Sequence, residues 1–171
     1  MRPDKLTERL FAMDDAAWAR HASAWSVFPR AMLGLPLLLG AIWSRVWLDW
    51  WAAAVFAVVV AWLWANPRLA EPPARTDTWW AKATFGERVW LARDTVPIPE
   101  RHAKMALILS LVSGLGFGAA LFGAAVLSPW LTIVGGVVSW FAKMWFVDRM
   151  VWLYEDMKDA TPEYRSWLKT G

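Results

Sequence analysis

The chain has no cysteine. That excludes disulfides, thiolate metal sites and a cysteine nucleophile. Its only histidines are His21 and His102, and it has only two tyrosines. No HExxH or ExxH pair stands on one helix, and no Gly-x-Ser-x-Gly string occurs. The net charge of +3 is too small to point to nucleic acid, and fits attraction to anionic lipid headgroups instead. A cleavable signal peptide is not expected. The first 27 residues hold Asp4, Glu8, Asp14 and Asp15 and no apolar core, so the first hydrophobic stretch stays in place as a helix.

What the chain does have is apolar length. Arg30 to Trp64 is nearly unbroken, interrupted only by Ser44, Arg45 and Asp49. Ala106 to Val147 is a second run, broken at Ser128-Pro129 and by Lys143. A bilayer core of ~30 Å needs ~20 apolar helical residues, so each run is too long for one pass and right for two. Hydrophobic residues make up 58% of the chain, above the ~45–50% of soluble domains. The expectation is a single all-α integral membrane domain over 1–171. It has four transmembrane helices as two antiparallel hairpins, at 28–48, 50–65, 106–127 and 129–147. Sixteen tryptophans suit the membrane–water interface, where the ring is half buried and its N–H stays wet.

Flanking segments follow from local signals. Leu6, Leu10, Met13 and Ala17 recur at helical spacing, predicting an amphipathic helix over 4–22 that lies in the interface or packs on the bundle's end. Pro36 is expected to kink the first span, and Asp49 to mark a tight turn where Arg45 can pair with it at i, i+4. Asn66-Pro67 is expected to end the second span. The loop 66–105 reads as one or two short interfacial helices, with Asp77 as N-cap, followed by an extended Val96-Pro97-Ile98-Pro99. Ser110, Gly114 and Gly118 form a small-residue stripe expected to pack on Gly135, Gly136 and Ser139 of the last span. The last helix is expected to run on to about Asp159, within a cytoplasmic tail 148–171.

Basic residues cluster before the first span, in 66–105 and after the fourth, while the two tips hold only Arg45. By the positive-inside rule both termini and the central loop are cytoplasmic. Several strings are distinctive: Ile42-Trp43-Ser44-Arg45-Val46-Trp47, Asn66-Pro67-Arg68-Leu69, Phe85-Gly86-Glu87-Arg88-Val89-Trp90-Leu91, Val96-Pro97-Ile98-Pro99, and Asp148 through Met157. On these the chain, over roughly residues 18–158, resembles a family of small prokaryotic four-helix integral membrane proteins catalogued as a domain of unknown function. The resemblance implies a prokaryotic cytoplasmic (inner) membrane location and imports no activity, cofactor or catalytic residue.

Chemistry, if any, would sit at the cytoplasmic surface. The candidate polar cluster is Glu87, Arg88, His102, Asp148, Arg149, Glu155 and Asp156. Asp148, Trp152 and Glu155 share one helical face. The structural reading pairs the carboxylates with Arg88, Arg149, Arg93 or Arg101, holding the central loop against the last helix. The alternative is a lipid-headgroup or substrate site, or a metal site with His21, His102, Glu87, Asp148 and Glu155 as ligands. Lys143 can snorkel to the headgroups. Scarce ionisable residues inside the apolar runs argue against a proton-coupled transporter or channel. The balance favours a structural or accessory membrane protein with no cofactor. Its expected partners are membrane lipids, and itself or another membrane protein through Gly114, Gly118 and Gly135, with no nucleic acid. The alternative is a membrane-surface enzyme or binder, metal-dependent or not, acting on a lipid-like substrate.

Overall fold

A computed structural model describes residues 15–170, and helix is the only regular secondary structure among them. The elements are α1 (Asp15–His21), α2 (Ala24–Trp43), the single turn α3 (Arg45–Leu48), a 3₁₀ turn (Asp49–Trp51), α4 (Ala52–Leu69), α5 (Trp79–Leu91), α6 (Glu100–Ala125), α7 (Pro129–Met157) and α8 (Pro162–Ser166). Three stretches are long and apolar enough to cross a membrane: Ala24–Leu69, Glu100–Ala125 and Pro129–Met157. The first is 46 residues long and contains both of the first two expected spans. Asp49 interrupts it at φ 49° and ψ −126°, a positive-φ conformation that glycine adopts freely and other residues rarely do. Of the amphipathic helix expected over 4–22, residues 4–14 lie outside the described residues, and Asp15–His21 is helical.

Several boundaries differ from the sequence expectation. α2 starts before Phe28-Pro29 and runs through both Pro29 and Pro36. α4 continues through Asn66-Pro67 to Leu69. A proline in the last turn removes one backbone donor only, so it does not stop the helix. α6 ends at Ala125 with two bonds of a Schellman cap: Leu127 N–H donates to Ala124 O (3.3 Å) and Ser128 N–H to Gly123 O (2.8 Å). Leu127, at φ 54°, fills the left-handed position that glycine usually takes. Pro129 then opens α7 at its first turn, where its missing N–H costs nothing.

The chain divides into two compact units. The apolar unit is Phe28–Asn66 with Lys104–Phe146. On α6, Ala106, Leu109, Gly116, Ala120 and Gly123 are buried, and on α7, Thr132, Gly135, Ser139, Ala142 and Phe146. Alternating steps of three and four are the seam of left-handed helix packing. The backbones nearly touch along it. A Cβ on Gly135 would lie 2.5 Å from Ala120 N, and one on Gly116 2.7 Å from Ser139 N. Ser113 adds a hydrogen bond to the Ser139 carbonyl at 3.1 Å. This corrects the expected stripe. Gly135 and Ser139 are in the contact, but a Cβ on Gly114 or Gly118 would meet nothing within 4 Å among the described residues. The helices meet through Gly116, Ala120 and Gly123, on another face of α6. Elsewhere a Cβ on Gly34 of α2 would lie 3.2 Å from Leu63 of α4, and one on Gly136 3.3 Å from Leu39. The Trp140 indole donates to Ala31 O at 2.9 Å.

Arg45 has a specific role in this unit. Its guanidinium donates to the carbonyls of Ala124 (3.2 Å) and Ala125. Those are last-turn carbonyls of α6, which no N–H within the helix reaches; Ala124 O also takes the Leu127 N–H of the cap. A cation there also meets the negative end of the helix dipole. The neighbouring Trp43 indole donates to Thr132 at 3.3 Å.

The polar unit is built from the rest of the chain. Its centre is α5. Ala81, Ala83, Thr84, Phe85, Gly86 and Val89 are all buried, so α5 is a core helix rather than one lying on a surface. Its N-cap is Thr78, whose hydroxyl accepts from Ala81 N–H at 3.3 Å. Asp77, the expected cap, instead pairs with Arg75 at 2.6 Å. Gly86 lies directly on the backbone of Met150, where any Cβ would overlap the Met150 carbonyl. Met150, Leu153 and Tyr154 on α7 complete this core.

Candidate functional site

The exposed end of α7 carries adjacent carboxylates that turn to different partners. Glu155 binds Lys82 of α5 at 2.5 Å and Lys158 at 2.7 Å. Asp156 binds Arg101 at 2.5 Å and the His102 Nε2 at 2.9 Å. Both lie past Phe146, in the polar unit. The ammonium groups of Lys158 and Lys82 hold the Glu155 carboxyl below its ordinary range. His102 and Arg101 do the same for Asp156. A paired cation favours the charged carboxylate. His102 sits in the first turn of α6, 6% exposed, which places a buried ring against an acid at the polar rim.

Arg88, on α5, pairs with Glu163 at 3.2 Å, and its guanidinium stacks over Trp167 at 4.3 Å, with Trp18 at 6.0 Å. Arg149 reaches its neighbour Asp148 at only 3.4 Å, and its buried Nε has no hydrogen-bond partner among the described residues. Glu87 is half buried on α5. The His21 ring stands edge-on to Trp18 at 6.0 Å, in α1. Lys82–Glu155 and Arg101–Asp156 tie the central segment to α7; Arg101 is among the expected partners of these acids, Lys82 is not, and Arg88 pairs with Glu163 instead. Among the described residues no three His, Asp or Glu side chains come close enough to hold a metal ion. The ligand set His21, His102, Glu87, Asp148 and Glu155 is not gathered.

A second part of the site had no counterpart in the sequence reading. The segment after α7 folds back. Thr161 caps α8, accepting from Tyr164 N–H at 3.1 Å, with Pro162 in the first turn. Tyr164 is buried, and its carbonyl accepts from the Tyr154 hydroxyl at 3.0 Å. Trp167 packs on Tyr164 (4.8 Å) and Phe85 (5.7 Å), and Phe85 on Tyr154 (5.3 Å). Thr76 then ties the tail down. Its N–H donates to Lys169 O at 3.0 Å, its hydroxyl donates to Trp167 O at 2.7 Å, and the same hydroxyl accepts from Lys169 N–H at 2.6 Å. Burial pushes the Tyr154 phenol up to about 12. The signal was in the sequence as Thr161-Pro162 followed by Tyr and Trp, a capped turn with two large apolar residues.

The pattern is one of separate, locally satisfied contacts around a helix core. The match over residues 4–170 decides the family. The chain belongs to DUF6653, a family of unknown function. No curated protein and no solved structure matches the chain. The DUF6653 match covers both units and so includes the docked tail as well as the apolar helices.

Proposed function

We propose that this DUF6653 protein is an integral membrane protein of a prokaryotic cytoplasmic membrane, with a structural or accessory role. Its four spans form two antiparallel hairpins, α2 with α4 and α6 with α7 up to about residue 147. Both termini and the polar unit are cytoplasmic. The observation that carries the membrane reading is the surface of the apolar unit, where Leu115 is 75% exposed, Val58 68% and Phe141 63%. Such a surface is stable in lipid and a liability in water. The approach of Gly34 to Leu63 across the Asp49 turn, and of Ala120 to Gly135 across the Leu127 turn, supports the hairpins. Fourteen of the 18 basic residues belong to the polar unit, which supports its cytoplasmic side.

The structural role rests on the dispersal of the polar groups. Glu155, Asp156 and Arg88 each have an ion-pair partner on another element or segment, as they would in a scaffold holding α5 and the tail on α7. Membrane extraction followed by native mass spectrometry tests it. The expected result is a protein that partitions with membranes and carries no stoichiometric metal. A metal lost in the His102→Ala variant overturns the structural role. One observation favours a second reading. A buried imidazole fixed by a carboxylate, as in His102–Asp156, is the arrangement a general base uses, and would serve a surface enzyme acting on a lipid-like substrate.

A further inference from the structure

We propose that residues 161–170 are a releasable strap over a peptide-docking surface of the polar unit, and that this surface takes in their place a partner's short helix carrying an acid and an indole four residues apart. All the residues involved belong to the polar unit, and the binding needs no membrane. The chain's own tail defines the chemistry. Glu163 and Trp167 stand at i, i+4, which puts them on one face of a single helical turn. The Arg88 guanidinium receives both, Glu163 at 3.2 Å and the Trp167 ring at 4.3 Å. Phe85 supplies an aromatic floor 5.7 Å from the Trp167 ring. The rest of the grip is on the tail's main chain. The Tyr154 hydroxyl donates to Tyr164 O at 3.0 Å. Thr76 bonds Trp167 O at 2.7 Å, Lys169 O at 3.0 Å and Lys169 N–H at 2.6 Å. Main-chain bonds of this kind hold any sequence, while the guanidinium and the aromatic floor select the acid and the indole.

The tail is an imperfect occupant. α8 is five residues long, far below the ~12–15 that stand alone in water, so it is a helix only while docked. Tyr164 is its one buried residue, and the Glu163 side chain is 62% exposed. The anchor itself carries a flaw. Tyr164 is 3% exposed, and its buried hydroxyl has no hydrogen-bond partner among the described residues. Burial pushes this phenol up from its ordinary range, so at neutral pH it keeps an O–H that the surface leaves unsatisfied. A buried donor without an acceptor opposes docking. The surface therefore suits an apolar ring at this position. A partner helix with phenylalanine there makes the same contacts without that penalty, and displaces the tail.

The test uses the full chain in detergent and a fluorescein-labelled peptide of residues 161–170, with binding read by anisotropy. In the wild type the strap occupies the surface, so apparent affinity is reduced by the fraction that is open. The Trp167→Ala chain is expected to bind the peptide about tenfold more tightly than wild type, because its strap is loosened and its surface intact. The Glu163→Gln chain is expected to gain about threefold, as suits a screened ion pair. A peptide carrying Tyr164→Phe should bind each chain about threefold more tightly than the native peptide. One carrying Glu163→Lys should bind about tenfold more weakly. No binding to a Trp167→Ala chain that keeps its cooperative thermal transition overturns the docking surface. Equal affinity for wild type and both variants overturns the strap. Equal binding of the native and Glu163→Lys peptides overturns the acid–indole chemistry. If Trp167→Ala does not fold, the exposed Glu163→Gln change decides: a gain in affinity supports the strap, and no gain overturns it.

Discussion

The two units pack their helices in opposite ways. The apolar unit holds five of the chain's 33 charged residues, and the polar unit the other 28. In the apolar unit helices meet through Gly116, Gly123 and Gly135, with backbones close and large side chains turned outward. In the proposed lipid setting, burying a leucine would bring no hydrophobic gain, and close van der Waals approach would hold the helices. In the polar unit the large side chains turn inward: Phe85, Tyr154, Met150 and Leu153 are buried, with ion pairs around them. That is the arrangement water selects. The two cores share one device, a glycine where backbones touch: Gly135 on Ala120, Gly86 on Met150.

The largest effects should come from those glycines. Gly86→Leu and Gly135→Leu each force a side chain into a neighbouring backbone, and overpacking of this kind costs ~1–3 kcal/mol or more. Both variants should lose the cooperative thermal transition in detergent. Gly118→Leu is the contrast. Its Cβ would meet nothing within 4 Å among the described residues and leucine favours helix by up to ~1 kcal/mol over glycine, so its unfolding temperature should be unchanged or slightly raised. A large loss at Gly118 would break the assignment of the seam.

That contrast also shows what the sequence could reveal. The apolar runs, the Asp49 turn and the Ser128-Pro129 restart were legible because they depend on local chemistry. The seam was not. α6 carries two small-residue stripes, Ser110-Gly114-Gly118 at strict four-residue spacing and Ser113-Gly116-Ala120-Gly123 at alternating three and four. Only the second stays on one face of two helices that wind around each other, and its extension through Ala106 and Leu109 was the available clue. In the polar unit the acids were expected to meet arginines, yet Lys82 finds Glu155 across 73 positions of sequence. No local rule chooses lysine there over Arg88. The tail was expected only as a cytoplasmic segment 148–171, because Tyr164 and Trp167 are isolated apolar residues whose partners Phe85 and Tyr154 lie on other helices.

Arg45→Met should cost roughly 1.5–3 kcal/mol, the range for a hydrogen bond from a charged group, read as a lower unfolding temperature in detergent. An unchanged value would mean water satisfies the α6 carbonyls equally well. Glu155→Gln, in the polar unit, should cost less, up to ~1 kcal/mol, because its pairs are partly exposed and screened. Membrane insertion should be unaffected.

Acid titration should separate the units most finely. The folded-state carboxyls of Glu155 and Asp156 are depressed. Their contribution is therefore full above the unfolded carboxylate range near pH 4 and is lost as pH falls through the lower folded values. Hydrogen exchange of α5 and α8 should rise below about pH 4 while exchange in the α6–α7 seam stays constant. Equal acid sensitivity in both would show that the charges do not act locally.

The central claim is that the apolar unit spans the bilayer with its turns outside and the polar unit inside. The absence of cysteine makes single-cysteine labelling the direct measurement. Leu48→Cys, at the first turn, and Thr95→Cys, between α5 and α6, are each treated in intact cells with a membrane-impermeant maleimide. Label on Leu48→Cys in intact cells, with Thr95→Cys labelled only after lysis, is the predicted result. Label on Thr95→Cys in intact cells would contradict it.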